Sequence, residues 1–330
     1  MLLDDIAGRV HAPHEADDFV PPPRFADKTF DGYRIDASVS GQESAVDQVR
    51  DFAGAGRKRL WEMWRRGEKP GLYLDGDFGV GKTHLLAAAF HAAQGTRRYL
   101  SFSEMISLAV LEGPKRCVEI LRADLVCVDE FELDDPSNTR LADLVLDGLF
   151  GKGVRVILTS NTVPGELGAE HVFVQLLRRQ LARVQAHFDD VHVPGEDYRQ
   201  RHRRDGEDPS GWGAAVVPFA IIDGALALDA HELDRFLTRI PVVSLRRVAG
   251  LMPALTITEM RPWDDQLSAI RFVHLIDRLY DWKVPLRVQA ACPIADVFKP
   301  EYRELGYRKK YRRCLSRLTE LCAEGGTLAD

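Results

Sequence analysis

Gly76-Asp77-Phe78-Gly79-Val80-Gly81-Lys82-Thr83 satisfies the pattern GxxxxGK[ST] at every position. Before it, Gly71-Leu72-Tyr73-Leu74 reads as a short buried strand, and residues 84–93 after it are strongly helix-forming. That order, strand, glycine-rich loop and helix, is the context a phosphate-binding loop requires, and it outweighs the reading as a turn before a core helix. A triphosphate must be wrapped by backbone N–H groups, so glycine is needed where a Cβ would collide or φ must be positive. Gly76, Gly79 and Gly81 meet that need. Lys82 then brings a point positive charge to the β and γ phosphates, Thr83 brings a hydroxyl to Mg²⁺, and the following helix turns its positive end toward the phosphates. Asp77, Phe78, Val80 and His84 complete the expected cofactor contacts.

Two more strand ends point to the same chemistry. Leu125-Val126-Cys127-Val128 is an apolar run closed by Asp129-Glu130, which places both carboxylates at the C-terminal end of a buried strand. Metal-assisted hydrolysis needs one carboxylate in the Mg²⁺ shell and another that polarises water; Asp129 is expected in the first role and Glu130 in the second. Acids also cap strand ends for no catalytic reason, but that reading weakens for a pair that follows a phosphate loop. Arg155-Val156-Ile157-Leu158 reads as a third strand running into Thr159-Ser160-Asn161. Asn161 is expected to orient the attacking water or the γ-phosphate, a role compatible with the turn signalled by Pro164-Gly165.

The 330-residue chain has room for two domains or one large one, with 45% hydrophobic residues, enough for a packed core. A net charge of −6 and a pI near 6.0 exclude a surface that grips nucleic acid throughout and leave only a local basic patch. The five cysteines include no CxxC pair, acids stand where a secretory signal needs bases, and no apolar run is long enough to span a bilayer. A soluble cytoplasmic protein is expected, with peripheral membrane contact left open.

In chain order, residues 1–26 read as an acidic lead-in ending in Pro21-Pro22-Pro23, residues 27–200 as the nucleotide core, and residues 201–330 as a C-terminal α/β region. Phe30 and Tyr33 read as packing aromatics that could alternatively border an adenine ring. Within the core, helices are expected over residues 44–66, 104–112 and 170–188, with Ser103 as a helix cap, and a fourth strand over 190–193. Beyond it, a hairpin is expected around Asp223-Gly224, a helix over 230–239, strands over 248–260 and 284–290, and a helix over 266–280. The last helix carries Arg308, Lys309, Lys310, Arg312, Arg313 and Arg317, which reads by default as a solvated basic face. Alternating strands and helices predict an α/β fold, a mainly parallel sheet with helices on both faces.

The phosphate loop, Leu125 through Phe131, and Leu158 through Pro164 together resemble the ZapE family of AAA-type ATPases, which includes mitochondrial relatives. Gly195-Glu196-Asp197-Tyr198-Arg199, Leu275 through Tyr280, and Arg313-Cys314-Leu315-Ser316-Arg317-Leu318 extend that resemblance over most of the chain. It implies an AAA-type P-loop NTPase core that binds ATP and Mg²⁺ through Lys82, Thr83 and Asp129, with Asn161 as phosphate sensor. It also implies that Arg179, or its neighbour Arg178, completes a neighbouring subunit's site in a homo-oligomer. The partner it implies is a protein substrate, with FtsZ of the cell-division ring as the candidate. A helicase-loader-like nucleic-acid module and a nucleotide-responsive scaffold with little turnover are the alternatives.

Overall fold

The computed structural model describes residues 10–54, 69–133, 136–162, 182–195, 225–290, 292–304 and 307–327. They form two compact units, one of residues 14–21 and 25–204, the other of residues 1–13, 22–24 and 205–330.

The first unit holds a five-stranded, wholly parallel sheet. Its strands are β1 (Gly71–Asp75), β2 (Arg97–Ser101), β3 (Leu125–Asp129), β4 (Arg155–Thr159) and β5 (Phe188–His192), in the order β2-β3-β4-β1-β5. Its helices are α1 (Gln42–Gly54), α2 (Lys82–Ala92), α3 (Phe102–Glu112), α4 (Pro114–Leu121) and α5 (Pro136–Phe150). Strands β1, β3 and β4 are buried along their whole length, as a sheet covered on both faces requires. Leu72, Leu74, Tyr99, Cys127, Ile157 and Val191 share one face and pack in one cluster with Val46, Val49, Leu85 and Phe90 from α1 and α2. On the other face, Phe188 meets Tyr73 and, from α5, Phe150, with ring centroids 6.5 and 5.5 Å apart.

Arg155 opens β4 and is 1% exposed, a costly place for a guanidinium. Its Nη1 donates to the carbonyls of Phe52 and Ala53, the last turn of α1, where the helix dipole presents its negative end.

Several expected boundaries move. The cap of α3 is Ser101, not Ser103: its hydroxyl accepts from Glu104 N while the Glu104 carboxylate accepts from Ser101 N, and β2 therefore ends one residue before Phe102. Strand β5 starts at Phe188, two residues before the expected Asp190, because Phe188 supplies an aromatic contact to the sheet while Asp189 and Asp190 point outward. Helices α4 and α5 were not foreseen; Pro114, expected to stop the preceding helix, and Pro136 each occupy the first position of a helix. Of the helix expected over residues 44–66, the described part ends at Gly54, and of that over 170–188 residues 182–188 are described, helical through 186, with a turn at His187 and strand from Phe188.

The second unit is also α/β. Strands β6 (Leu226–Asp229), β7 (Leu255–Met260) and β8 (Leu286–Ala290) form a parallel sheet in that order. With them go helices α6 (Ala230–Arg239), α7 (Leu245–Leu251), α8 (Gln266–Trp282), α9 (Pro300–Glu304) and α10 (Arg308–Thr327). The expected strand over 248–260 is in fact a helix, then Met252 and Pro253, then β7, because the proline ends α7 and only Leu255–Met260 can pair. Most of the expected hairpin lies outside the described residues, and its last part, Leu226–Asp229, pairs in parallel.

The basic face of α10 is only partly a face. Arg313 and Arg317 are buried and bind Asp277 of α8 at 2.7 and 2.5 Å. Arg24 is held in the same unit by the Tyr280 carbonyl at 2.9 Å, with its guanidinium 3.7 Å from the centroid of the Tyr280 ring.

Candidate nucleotide site

The parallel sheet brings the three predicted strand ends to one edge. Because β4 lies between β3 and β1, the small polar residues at its end stand between the phosphate loop and the acid pair. Two glycines of the loop stand where a side chain has no room. A Cβ on Gly76 would meet the Val193 carbonyl at 2.4 Å, and one on Gly81, where φ is +93°, would strike the Tyr33 ring at 2.6 Å.

Lys82 is 7% exposed and donates to the Gly76 and Asp77 carbonyls at 2.8 and 2.7 Å, so its ammonium lies within the loop. Burial pushes its pKa down to about 8, against the opposing pull of Asp129, Asp77, Asp75 and Glu132. Thr83 Oγ1 stands 3.2 Å from Asp129 Oδ1. A hydroxyl and a carboxylate side by side are hard oxygen donors, and Mg²⁺ keeps most of its shell as water and phosphate oxygen, so this pair fits it. Among the described residues no cluster of three or more His, Cys, Asp or Glu could hold a metal by itself. The glycine-rich loop, the lysine within it and the oxygen pair together fit a nucleotide with its divalent cation.

Asp129 is 8% exposed and fully engaged. Its Oδ1 accepts from Thr159 Oγ1 at 2.5 Å and its Oδ2 from Tyr99 OH at 3.1 Å. Burial and the neighbouring Glu130 raise its pKa, while the hydrogen bonds from Thr159, Thr83 and Tyr99 oppose the rise. Glu130 has φ +57°, left-handed for a residue with a side chain, and its N–H donates to Thr159 Oγ1 at 3.0 Å. Asn161, the expected sensor, is at this edge with Nδ2 3.4 Å from Glu132 Oε1.

Sequence reasoning missed Tyr99, Thr159 and Glu132. Thr159 carried a signal, the polar run at the end of β4; Tyr99 carried none, since only the β2–β3 pairing places it beside Asp129. Tyr33 binds the loop itself: its hydroxyl donates to the Val80 carbonyl at 2.6 Å and its ring meets His84 edge-on at 5.5 Å. Phe30 is buried in the core with Arg50 over its ring. Arg178 and Arg179 lie outside the described residues.

A family model described as AFG1-like ATPase matches residues 14–212 and 247–326, both units of the chain. The chain belongs to that family. This AFG1-like ATPase is a nucleotide-binding enzyme of the P-loop class. It is 23% identical over 322 residues to the cell division protein ZapE of Escherichia coli strain K12, covering 81% of this chain and 83% of the relative. Among solved structures, DnaI is 18% identical with a TM-score of 0.42, over 55% of this chain and 98% of that one. The DnaC helicase loader is 16% identical with a TM-score of 0.38, over 52% of this chain and 99% of that one. Among the described residues no helix is long and apolar enough to cross a membrane.

Proposed function

We propose that this ATPase converts ATP to ADP and phosphate at the Lys82–Asp129–Glu130 edge and uses the cycle to remodel a protein partner in cell division. The observation that carries the catalytic part is the clasp of Thr159, whose one hydroxyl holds Asp129 Oδ1 and the Glu130 N–H together at the end of β3. Bound Mg²⁺ would neutralise phosphate charge and ATP would supply the transferred phosphoryl group. Lys82 exchanges the Gly76 and Asp77 carbonyls for phosphate oxygens. Thr83 and Asp129 hold the cation, Glu130 accepts a proton from the attacking water, and Asn161 orients that water or the γ-phosphate. Arg179, with Arg178 as the alternative, is proposed to reach a neighbouring subunit's site, which makes the working form a homo-oligomer.

The partner reading rests on the likeness to the E. coli cell division protein, with an FtsZ filament as the candidate and the cytoplasm as its setting. Glu130→Gln tests the chemistry: it is expected to bind ATP while turnover falls by orders of magnitude, and Lys82→Ala to lose nucleotide binding. Wild-type turnover in Glu130→Gln sinks the assignment. Mixing Arg179→Ala with Lys82→Ala subunits is expected to restore activity if sites are shared. Light scattering of FtsZ polymers with ATP against ADP tests the partner.

A further inference from the structure

Asp129 and Glu130 leave a third acid at the same edge without a role. Glu132 is 7% exposed, an expensive position for a carboxylate in a chain whose surface has room for it. The backbone delivers it there deliberately. The left-handed turn at Glu130 sends the chain across the end of β4, where Phe131 N donates to the Thr159 carbonyl at 2.7 Å. Phe131 is fully buried against Phe102 and Tyr73, with ring centroids 4.7 and 6.4 Å away. With Phe131 anchored on both sides, Glu132 reaches Asn161, and Asn161 Nδ2 donates to Glu132 Oε1 at 3.4 Å.

A side-chain amide can turn over and exchange its oxygen for its nitrogen, but a carboxylate only accepts. Facing Glu132, the Asn161 amide must present its Nδ2, which leaves the carbonyl oxygen and the second N–H for the opposite side. We propose that Glu132 is a positioning residue of the nucleotide reaction, acting through the Asn161 amide by fixing which of its ends faces the γ-phosphate and the attacking water. This rests on the reading of Asn161 as the group that touches them. The Glu132 charge is also among those that favour the protonated form of Lys82, a secondary service that a neutral replacement would remove.

The test is steady-state ATP hydrolysis by the full chain for wild type, Glu132→Ala, Glu132→Gln, Asn161→Ala and the double variant Glu132→Ala/Asn161→Ala, with Tm recorded for each. Losing the orienting bond to a charged partner is expected to lower kcat about tenfold in Glu132→Ala, with KM for ATP within about twofold. Glu132→Gln keeps an acceptor oxygen and is expected to recover most of kcat. In the Asn161→Ala background, Glu132→Ala is expected to add nothing, because the residue it acts through is gone. Wild-type kcat in Glu132→Ala, or an undiminished further loss in the double variant, overturns the inference. If Asn161→Ala turns over at the wild-type rate, the sensor reading fails first; if it is slow while Glu132→Ala is not, only the present inference fails. Should alanine at 132 unfold the chain, Glu132→Gln against Glu132→Met, of similar size with and without the acceptor, decides the same question.

Discussion

Thr159 Oγ1 lies 2.5 Å from Asp129 Oδ1, so the end of β4 grips the end of β3 at the carboxylate that faces Thr83. That hydroxyl has two jobs, donating to the carboxylate and accepting the Glu130 N–H at 3.0 Å. Thr159→Val keeps the β-branched shape and deletes both bonds. The Glu130 N–H keeps its bond to Asp129 Oδ1 at 3.2 Å, but the buried carboxylate loses its shortest donor, which costs on the order of 1–3 kcal/mol, and at the proposed catalytic edge the same energy is about tenfold to a hundredfold in rate. Thr159→Val is therefore expected to lower kcat by that factor while ATP affinity holds within a few fold. Unchanged turnover would show that the clasp has no part in the chemistry. Tyr99→Phe, which removes the bond to the other oxygen, is expected to do the same more mildly.

Asp277, Arg313 and Arg317 form a buried charge cluster between α8 and α10. Burial works to raise the Asp277 pKa, but the two guanidiniums overcome it and hold the carboxyl well below the usual range. Removing one partner strands buried charge, so Asp277→Ala or Arg317→Ala is expected to cost about 3–5 kcal/mol in denaturant unfolding. Arg312→Ala, exposed on the same helix, is expected to stay within about 0.5 kcal/mol. Equal effects from the exposed and buried arginines would refute the cluster.

The candidate nucleotide site was legible because each of its three segments, 76–84, 129–130 and 159–161, carries a local pattern: glycine admits backbone, lysine brings charge, and polar residues end an apolar run. What stayed hidden depends on register or depth. Tyr99 reaches Asp129 only because β2 and β3 pair with Tyr99 opposite Cys127, and no local pattern encodes that. Arg313 and Arg317 looked like their exposed neighbours, since a helix-forming basic run reads alike whether or not an acid from another helix waits beneath it. Pro114 signalled the break after α3 correctly, yet the same lack of an N–H that ends one helix suits the first turn of the next.

With two of its six basic residues committed inward, α10 offers nucleic acid at most Arg308, Lys309, Lys310 and Arg312. Each neutralised phosphate contributes about −0.9 to the slope of log K against log salt on duplex DNA. Binding through this helix should therefore show a slope no steeper than about −3.6. A fluorescence anisotropy titration across a salt series measures it, alongside ATPase rate with single- and double-stranded DNA. Weak binding, a shallow slope and no stimulation are the expected results. A steep slope with DNA-stimulated turnover, and no effect on FtsZ polymers with either nucleotide, would favour a helicase-loader role over the division reading.

His274 on α8 gives the second unit a built-in acid sensitivity. Burial, reinforced by Lys310, Arg278 and Arg313 and opposed by Asp277, pushes its pKa down to about 4. In the unfolded chain a histidine titrates near 6.5, so between those values the unfolded state holds more protons than the native one. Stability therefore falls as pH drops through 6.5 and levels off below about 4, the window set by the unfolded and folded values. Asp277, depressed in its turn, acts in the same direction, and its contribution is lost only below the ordinary aspartate range near 3.9. His274 as a whole residue is half-buried, so its contribution is taken as on the order of 2 kcal/mol once the shift is discounted for screening. Urea unfolding at about pH 7.0, above that window, and at about pH 5.0, inside it, measures it. Wild type is expected to lose stability on acidification, whereas His274→Gln, which cannot charge, loses distinctly less. Equal losses in both would place the acid sensitivity elsewhere in the chain.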